Sequence, residues 1–317
     1  MITWGMVGLG VIAHAFAKGL AGCNDARLLA VASSDQAKAE AFAHQYAAAH
    51  WYTSYEEVFA LEEVDVVYIA NLNPQHAHAI RLALMHNKHV LCEKPLTLDP
   101  QESGELFALA EQRGLFLMEA YWTACLPTYQ KAKEWIENGM IGVVESIHVS
   151  FCFKADQNPT SRLFNTALGG GALYDLGIYG IGLTLDFFNA YPIKVDAEIE
   201  YAQTGVDQFA HLFLEYGDSR RASLEFGFTQ DKAHTARIQG SKGSLLLPDF
   251  WHGTEIIRMR GNQILESQTY PHAVNGYEYE AQHVCDCIKE GRKHSSLVPP
   301  QRTVQAARLI KEVLSRA

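Results

Sequence analysis

The first 120 residues alternate short runs of β-branched and other apolar residues with alanine-rich stretches of helical periodicity. This alternation is typical of βαβ units, in which helices connect the strands of a parallel sheet. The predicted strands are Thr3–Val7, Leu28–Ala32, Trp51–Tyr52, Val64–Ala70, His89–Cys92 and Leu115–Glu119. The predicted helices are Ile12–Ala21, Gln36–Ala48, Gln75–His86 and Pro100–Gln112. We therefore expect residues 1–120 to form one α/β domain.

The pattern changes after Tyr121, where longer segments of alternating apolar and polar residues follow one another with little helix between them. Turn signals such as Tyr216-Gly217-Asp218 and Arg260-Gly261-Asn262 indicate hairpins and an open, mostly antiparallel sheet. The predicted strands are Glu145–Phe153, Lys194–Tyr201, Phe209–Tyr216, Arg220–Phe228, Ala233–Gln239 and Glu255–Arg260, and the predicted helices are Pro127–Asn138, Ala172–Phe188 and Thr303–Ala317. We assign residues 121–302 to a second α/β domain and residues 303–317 to a terminal helix that could pack back on the first domain.

Composition and charge exclude several classes of protein. The chain has 317 residues, 48% hydrophobic and 20% charged, which fits two folded domains and not a disordered chain. No apolar run approaches the length of a membrane span, and the N-terminus lacks a signal-peptide pattern. The net charge is −10, and residues 1–120 hold 7 basic and 14 acidic side chains, which argues against nucleic acid as a partner.

The cysteines indicate the redox compartment. They fall in mostly apolar surroundings and form no C-x-x-C pair, which disfavours a zinc site or a disulfide framework. They are Cys23, Cys92, Cys125, Cys152, Cys285 and Cys287. The histidines show no H-x-x-x-H pair with a third ligand, so we expect no metal. A reducing cytoplasm is the expected location.

A glycine motif follows the first predicted strand and opens the first predicted helix. Gly8, Gly10 and Ala13 form the pattern G-x-G-x-x-A, whose middle positions are Val11 and Ile12. In this context Gly8 allows a tight turn, Gly10 lets the backbone approach a pyrophosphate, and Ala13 permits close packing of helix on strand. Glycine-rich turns also occur for structural reasons alone, but the strand and helix around the motif favour dinucleotide binding.

The end of the second predicted strand bears on the choice between NAD and NADP. Sites selective for NAD place an acidic residue about 20 positions after the glycines, where it binds the ribose hydroxyls. Here Ser33 and Ser34 occupy that region, and Lys38 lies one turn into the following helix. This arrangement favours NADP(H). The alternative is NAD, because Asp35 could take the acidic role and Lys38 could be an ordinary solvated charge.

Two segments carry candidate chemistry. Lys94 follows the fifth predicted strand in Glu93-Lys94-Pro95, at the edge where open α/β sheets bind ligands, although an isolated tripeptide of this kind can be a simple surface loop. Asp175 and Tyr179 are four residues apart on an otherwise apolar helix, so they share one face. The alternative is that Tyr179 packs in the core and Asp175 serves only to initiate the helix. A cation such as Lys94 would lower the pKa of a tyrosine and make it an effective acid or base.

These motifs together resemble the Gfo/Idh/MocA oxidoreductases. The resemblance rests on Gly8–Ala13, on Glu93-Lys94-Pro95 and on Asp175–Tyr179. Within the family, Leu115–Trp122 is similar to the branch of dimeric dihydrodiol dehydrogenases and NADP-dependent D-xylose dehydrogenases. The resemblance extends over essentially the whole chain, as far as Tyr277–Glu280 and the terminal helix. It implies a Rossmann domain followed by an α/β domain whose sheet pairs with that of a second subunit.

The resemblance also implies roles for individual residues. Lys94 and Tyr179 would be the acid/base pair for hydride transfer at the nicotinamide, and Asp175 would orient substrate or relay a proton. The segment Asn71–His76 would hold the nicotinamide ribose, with Asn73 and His76 as candidates and His78 as a competitor for the histidine role. A cis Lys94–Pro95 bond is expected. The branch often has an arginine where Ser34 stands here, which weakens the expectation of strong selectivity for NADP.

Aromatic residues at Trp122, Phe153 and Trp251 match the substrate pocket of the dihydrodiol branch, although large aromatic residues are usually core. Arg162 and His252 could add polar contacts. We expect an NADP(H)-preferring dehydrogenase of aldoses or cyclic vicinal diols. The alternatives are a cofactor-sensing regulator without catalysis and a lyase or glycosidase that uses the dinucleotide transiently.

A homodimer is also expected. Apolar residues occupy much of both faces of Phe209–Tyr216 and Arg220–Phe228, and helices can cover only one face of a sheet. The other face is therefore predicted to meet a partner subunit.

Overall fold

A computed structural model describes residues 1–316. The chain divides into two compact units, one formed by Met1–Trp122 with His272–Val304 and the other by Thr123–Pro271 with the residues from Gln305 onward. His272–Val304 therefore groups with the N-terminal unit, whereas the sequence pattern placed it with the second domain. No helix among residues 1–316 is long and apolar enough to cross a membrane.

Strands and helices alternate in the first third of the chain, and strands dominate the middle. The strands are β1 (Ile2–Val7), β2 (Ala26–Ala32), β3 (His50–Tyr52), β4 (Val66–Ile69), β5 (His89–Glu93), β6 (Leu117–Ala120), β7 (Val144–Cys152), β8 (Lys194–Tyr201), β9 (Asp207–Glu215), β10 (Arg221–Gly227), β11 (Thr235–Gly240), β12 (Gly243–Pro248), β13 (Glu255–Arg260) and β14 (Gln263–Thr269). The helices are α1 (Val11–Leu20), α2 (Gln36–Tyr46), α3 (Tyr55–Phe59), α4 (His76–Met85), α5 (Pro100–Gln112), α6 (Pro127–Glu137), α7 (Ile178–Phe188), α8 (Tyr277–Lys289) and α9 (Pro300–Ser315).

The first unit contains a six-stranded parallel sheet in the order β3-β2-β1-β4-β5-β6. Its central strands are apolar on both faces, and every residue of β4 is buried, as a sheet covered by helices on both sides requires. The order reverses between β1 and β4, so their carboxyl ends border the crevice where such sheets bind ligands. The predicted parallel α/β sheet is confirmed.

Capping residues define helix starts in this unit. Asp99 accepts hydrogen bonds from the backbone of Gln101 and Glu102, and Pro100 occupies the first helical position of α5, which begins where the sequence predicted. The short helix α3 was not predicted, although Ser54 and Glu57 form a capping box at its start. Its single turn is too short for the apolar periodicity to be recognised.

The second unit contains an eight-stranded sheet in the order β14-β13-β12-β11-β7-β10-β9-β8. Neighbouring strands are antiparallel except for β7 and β10, which confirms the predicted, mostly antiparallel sheet. Strands β12 and β14 were not predicted. Strand β14, at the sheet edge, is mostly polar and has no buried residue, and β12 is a short leucine run without polar alternation.

Two predicted helices differ in detail. The segment predicted as one helix over Ala172–Phe188 consists of a π-helical turn, Leu173–Gly177, followed by α7. The terminal helix α9 begins at Pro300 and not at Thr303, because proline suits the first helical position. The predicted last residue of that helix, Ala317, lies outside the described residues.

One face of the large sheet is less apolar than the sequence indicated. The outward side chains of β9 include Phe209 and Phe213, and Phe213 is 38% exposed. The outward positions of β10 are Arg221, Ser223 and Glu225, which are polar, so β10 does not have two apolar faces. The expectation of apolar residues on both faces therefore holds for β9 only.

Candidate active site

The glycine motif has the geometry of an anion-binding loop. Gly8 has φ +82°, and a side chain there would lie 2.3 Å from the backbone nitrogen of Asn71, so only glycine fits this turn. A Cβ at Gly10 would meet no atom of the described chain within 4 Å. Gly10 precedes α1 without a side-chain cap, so the first amides of the helix, at Val11 and Ile12, are available to a phosphate.

The motif also packs as its residue types require. Ala13 is fully buried, as close helix–strand contact demands, whereas Val11 is 90% exposed. The open space at Gly10 and the uncapped helix start fit a pyrophosphate, and Val11 has no role in the core. These residues therefore fit a bound dinucleotide.

The residues after β2 are arranged around the start of α2. The side chain of Asp35 accepts the backbone N–H of Lys38 at 3.1 Å and caps this helix. Ser33 is buried, and its hydroxyl accepts the backbone N–H of Asp35 at 3.3 Å. Ser34 and Lys38 are exposed. Because Asp35 is the helix cap, its carboxylate is engaged locally, and two hydroxyl groups and one ammonium lie near it.

His76 is an internal residue that links two loops. It is fully buried, with Nδ1 2.9 Å from the carbonyl oxygen of Pro95 and Nε2 3.2 Å from that of Asn71. Burial lowers the pKa of His76, so its ring is neutral at neutral pH and donates from one nitrogen at a time. Asn73 lies in the turn just before α4, and His78 is exposed. The structure therefore brings His76 to the Lys94–Pro95 loop.

Buried side chains fix the backbone on both sides of Lys94. The Lys94–Pro95 peptide bond is cis, as expected. The hydroxyl of Tyr68 donates to Oε1 of Glu93, whose Oε2 accepts the backbone N–H of Lys94 at 3.2 Å. The backbone N–H of Leu96 donates to Oε1 of Glu119 at 2.9 Å. Lys94 itself is half-buried, so a fixed backbone presents its amine at the end of β5.

Glu119 forms a second buried network next to this loop. It is 1% exposed, and its Oε2 accepts from Nη2 of Arg302 at 3.2 Å and from the hydroxyl of Thr303 at 3.0 Å. The guanidinium of Arg302 lies over the ring of Tyr121 at 3.9 Å from its centroid. Because both ions are buried, their pairing is what makes either tolerable in this environment.

Glu280, on α8, adds a second buried carboxyl near Glu93. It is fully buried, and no group within residues 1–316 gives a hydrogen bond to either of its carboxyl oxygens. Burial, followed by repulsion from Glu93, raises the pKa of Glu280 well above its ordinary value. Burial and the same two carboxyls also raise the pKa of Tyr68. Within the cluster of Tyr68, Glu93 and Glu280, burial and the neighbouring carboxyl therefore favour the protonated form of Glu280.

In the second unit, Asp175 follows a loop that folds back on itself. The backbone N–H groups of Gly170 and Gly171 donate to the carbonyls of Asn165 and Leu163, both at 3.0 Å. This return places Nη1 of Arg162 3.0 Å from Oδ1 of Asp175. The Asp175 side chain is 13% exposed and that of Arg162 is 55% exposed. Arg162 therefore contacts Asp175 itself, which fixes the orientation of that carboxylate.

Tyr179 lies in an aromatic cluster. Its ring centroid is 6.1 Å from that of Trp251 and 5.9 Å from that of Phe151. Trp251 is half-buried and stacks on Phe151. The centroid of its ring is 4.1 Å from that of the His252 ring. Tyr179 is 7% exposed. The structure thus brings Trp251 next to Tyr179, with His252 against Trp251, a placement that the sequence could propose only through a family resemblance.

The other two predicted aromatic residues have different neighbours. Phe153 packs on Phe228, with ring centroids 5.4 Å apart. Trp122 belongs to the first unit and stacks on Tyr277, with ring centroids 4.2 Å apart and planes almost parallel. Trp122 is 4% exposed. Both residues therefore have a packing role in their own units.

Tyr68, Glu119 and Glu280 were not singled out from the sequence. Glu119 interrupts the apolar segment Leu115–Ala120, and a charged residue inside a buried strand is a signal for a buried ion pair. Glu280 was overlooked because α8 was not predicted as a helix, and helical spacing is what places Glu280 on its buried face. Tyr68 has no such signal, since tyrosine is ordinary in a strand.

Comparison with known proteins agrees with this architecture. Residues 2–121 match the model of the oxidoreductase family with an NAD-binding Rossmann fold, and residues 129–246 match the Gfo/Idh/MocA C-terminal domain. Trans-1,2-dihydrobenzene-1,2-diol dehydrogenase of Mus musculus is 33% identical over 98% of this chain and 95% of its own length. The Homo sapiens protein of the same name is 32% identical over 98% and 96%.

Solved structures show the same fold. A 3-ketoreductase from Actinomadura kijaniata, in complex with NADP and TDP-benzene, has a TM-score of 0.88 and 25% identity, and 99% of this chain and 97% of that chain are covered. An aldose-aldose oxidoreductase from Caulobacter crescentus, complexed with glycerol, has a TM-score of 0.90 and 22% identity, covering 100% and 97%. The resemblance drawn from the sequence motifs is therefore confirmed, and the chain belongs to the Gfo/Idh/MocA oxidoreductase family.

Proposed function

We propose that this protein transfers a hydride between a nicotinamide dinucleotide, with preference for NADP(H), and a CH–OH carbon of an aldose or a cyclic vicinal diol. The observation that carries the proposal is the fixed backbone at Lys94, at the carboxyl end of β5, where Glu93 and Glu119 hold the loop on either side. Full-length relatives named as dihydrodiol dehydrogenases support a diol, and the aldose-aldose oxidoreductase that shares the fold makes a sugar worth testing.

Lys94, Tyr179 and Asp175 are the proposed catalytic residues. A bound nicotinamide would supply the hydride acceptor, its C4 carbon, for the substrate carbon that is oxidised. Tyr179, as phenolate, takes the proton of the substrate hydroxyl, and the ammonium of Lys94 stabilises that phenolate. Asp175, oriented by Arg162, positions the substrate or relays the proton. In the reverse direction the phenol of Tyr179 returns the proton to the carbonyl oxygen.

The proposed dinucleotide site lies along the carboxyl edge of the parallel sheet. The amides of Val11 and Ile12, after Gly8 and Gly10, take the pyrophosphate. The nicotinamide ribose is assigned to Asn71, Asn73, Glu93 and Lys94, and His76 acts by holding the loops of Asn71 and Pro95.

Preference for NADP(H) is supported by the residues after β2. Asp35 is engaged as the cap of α2, which leaves the hydroxyls of Ser33 and Ser34 and the charge of Lys38 to meet a 2′-phosphate. Titration of the protein with NADP+ and with NAD+ tests this choice. Ser34→Asp should shift the preference toward NAD+. Tighter binding of NAD+ by the unchanged protein would contradict the assignment.

The substrate site is proposed to use Trp251, next to Tyr179, together with Phe153 and Trp122. Aromatic faces suit a flat diol ring and also the C–H face of a sugar. We also propose a cytoplasmic homodimer. The cysteines, which are all buried, fit a reducing compartment, and the half-exposed face of β9 with Phe213 fits a partner subunit. Light scattering at micromolar concentration tests the dimer, and a monomer would count against it.

The function is tested by following reduction of NADP+ with xylose, glucose, inositols and trans-dihydrodiols as substrates. We expect formation of NADPH in proportion to product with at least one of these classes. Product without net NADPH would indicate a lyase that uses the dinucleotide transiently. Tight binding of NADP+ without turnover of any member of the panel would indicate a sensor.

A further inference from the structure

The start of the π-helical turn is held by a carboxyl group from another strand. Asp207, the first residue of β9, is 2% exposed, and its Oδ2 accepts the backbone N–H of Leu173 at 2.7 Å. The same carboxyl accepts the backbone N–H of Ala172. The turn begins at Leu173 without a side-chain cap from its own sequence. Asp207 therefore supplies from a distance the cap that a helix start needs.

A glycine lets the chain approach this carboxyl closely. Gly171 has φ +126°, and a Cβ built there would lie 2.2 Å from Oδ1 of Asp207. Any other residue would displace either the carboxyl or the backbone that leads into the turn. The approach of Gly171 is a second feature of the structure, independent of the hydrogen bonds, that is built around Asp207.

The segment that Asp207 holds carries the proposed chemistry. Asp175 lies in the turn, and its backbone N–H donates to the carbonyl of Gly171 at 3.1 Å. Tyr179 lies in the first turn of α7, and a Cβ at the next residue, Gly180, would be 2.7 Å from the ring of Phe226. Close packing on β10 thus fixes the segment at Gly180, and Asp207 fixes it at its start.

We propose that Asp207 is a positioning residue, which sets the placement of Asp175 and Tyr179 by holding the backbone at Ala172 and Leu173. The proposal rests on the proposed function, because it assigns these two residues to catalysis. Burying a carboxyl costs folding free energy, and an apolar residue of similar size would avoid that cost. Stability alone therefore does not account for an aspartate here, whereas the two amides that it caps do.

The hold is expected to depend on pH. Burial raises the pKa of Asp207 to about 7, against the opposing effect of the amides of Leu173 and Ala172. The neighbouring titratable group is Tyr201 on β8, whose pKa is raised by burial and, less strongly, by Asp207. Because a solvated carboxyl ionises more readily than the buried one, ionisation of Asp207 favours opening of the turn. The segment should therefore loosen as pH rises from about 4 to about 7 and change little at higher pH.

Hydrogen exchange and kinetics on Asp207→Ala and Asp207→Asn test the proposal, with Asp196→Ala as the matched control because Asp196 is an exposed aspartate of β8 paired with Lys194. In Asp207→Ala we expect the amides of residues 172–178 to exchange about tenfold faster or more and kcat to fall about 10- to 100-fold, with the dissociation constant of NADP+ unchanged. Asp207→Asn should keep most of the protection from exchange and most of the kcat of the unchanged protein, because its amide oxygen still accepts the N–H of Leu173. A folded Asp207→Ala protein with unchanged exchange and kcat would overturn the proposal.

A second measurement covers the case in which Asp207→Ala does not fold. Exchange of residues 172–178, corrected for the intrinsic effect of pH, should rise about tenfold from pH 6 to pH 8 in the unchanged protein and stay constant in Asp207→Asn. Equal behaviour of the two proteins would overturn the proposal. Exchange is read without turnover, so absence of dehydrogenase activity would refute the proposed function and leave this result to decide the role of Asp207.

Discussion

The loop at Lys94 and the turn that carries Asp175 are held in position by different means. Around Lys94, side chains from three other elements reach the backbone: Tyr68 acts through Glu93, His76 through Pro95 and Glu119 through Leu96. Around Asp175, backbone contacts dominate, through the folded-back glycines, the approach of Gly180 to Phe226 and the one carboxyl of Asp207.

This difference indicates how each region should respond to substitution. Several side chains share the work at Lys94, so the loss of one leaves the others in place. The turn at Asp175 depends on one carboxyl and on glycines whose backbone conformation another residue could adopt only with strain. We therefore expect graded effects on turnover from the side chains that support the Lys94 loop, and large effects on turnover from single supporting positions around Asp175.

The largest expected effect comes from removing the proposed acid/base pair, one residue in each region. Lys94→Ala and Tyr179→Phe should each lower kcat about 10²- to 10⁴-fold, as expected for loss of acid–base catalysis. Dissociation constants for NADP+ should change only a few-fold. Tyr270→Phe is the matched control, because the hydroxyl of this half-buried tyrosine donates to the side chain of Gln268 on β14. Unchanged turnover in both variants would exclude the proposed mechanism.

The next effect concerns the buried ion pair beside the Lys94 loop. Glu119→Leu leaves the guanidinium of Arg302 buried without its carboxylate and should lower the free energy of unfolding by about 3–5 kcal/mol, measured by urea denaturation. The control is Glu134→Leu, which removes an exposed ion pair with Lys131. This variant should change the free energy of unfolding by less than about 1 kcal/mol. Equal effects would mean that burial does not distinguish the two pairs.

A pH series distinguishes the single carboxyl of the second region. The pKa of Asp207 is about 7 in the folded protein, compared with about 3.9 for a solvated aspartate. Between these values the folded state keeps a proton that the unfolded chain has released, so stability falls as pH rises from about 4 to about 7. Relative to Asp207→Asn, the unchanged protein should lose up to about 4 kcal/mol across this window. A constant difference would contradict the raised pKa.

The smallest effect is expected where other side chains remain. Tyr68→Phe removes the hydrogen bond to Glu93 and should cost about 1–2 kcal/mol of stability and lower kcat/KM about tenfold or less. Tyr46→Phe is the matched control, because it removes a tyrosine hydroxyl of the same unit that contacts His14 and not Glu93. A loss of activity as large as that of Lys94→Ala would show that the loop depends on one side chain after all.

Much of the fold could be predicted because its patterns are local. The start of helix α5 is predicted by Asp99 and Pro100, and the junction between the first strand and the first helix is predicted by Gly8 and Gly10. Helix α8 could not be predicted, because its residues Tyr277–Glu280 alternate aromatic and acidic side chains, a pattern typical of an exposed strand. Burial of Glu280 is set by packing on α1, which no local pattern contains.

The residues of the candidate site also fall into two groups, those that belong to a local sequence motif and those that act through tertiary contact. Lys94, Asp175 and Tyr179 stand in motifs that can be read along the chain. Asp207 and Glu119 act on residues 34 and 23 positions away, Leu173 and Leu96 respectively, and their roles follow from tertiary contact alone. The π-helical turn was read as an α-helix because the two conformations share their apolar residues and differ only in backbone hydrogen bonds.

The division of the chain also has a consequence for biosynthesis. Helix α8 packs on α1, and Asn275 donates to the carbonyl of Ala15, yet about 150 residues of the second unit separate the two parts of the first. The ribosome adds roughly 5–20 residues per second. It therefore completes the first unit, which ends at Val304, about 9–36 s after the parallel sheet has been synthesised. During that interval Glu93 lacks its neighbour Glu280, and the nascent sheet exposes the surface that α8 later covers. A chaperone that binds apolar surface should therefore associate with this chain at intermediate lengths and be released once α8 emerges.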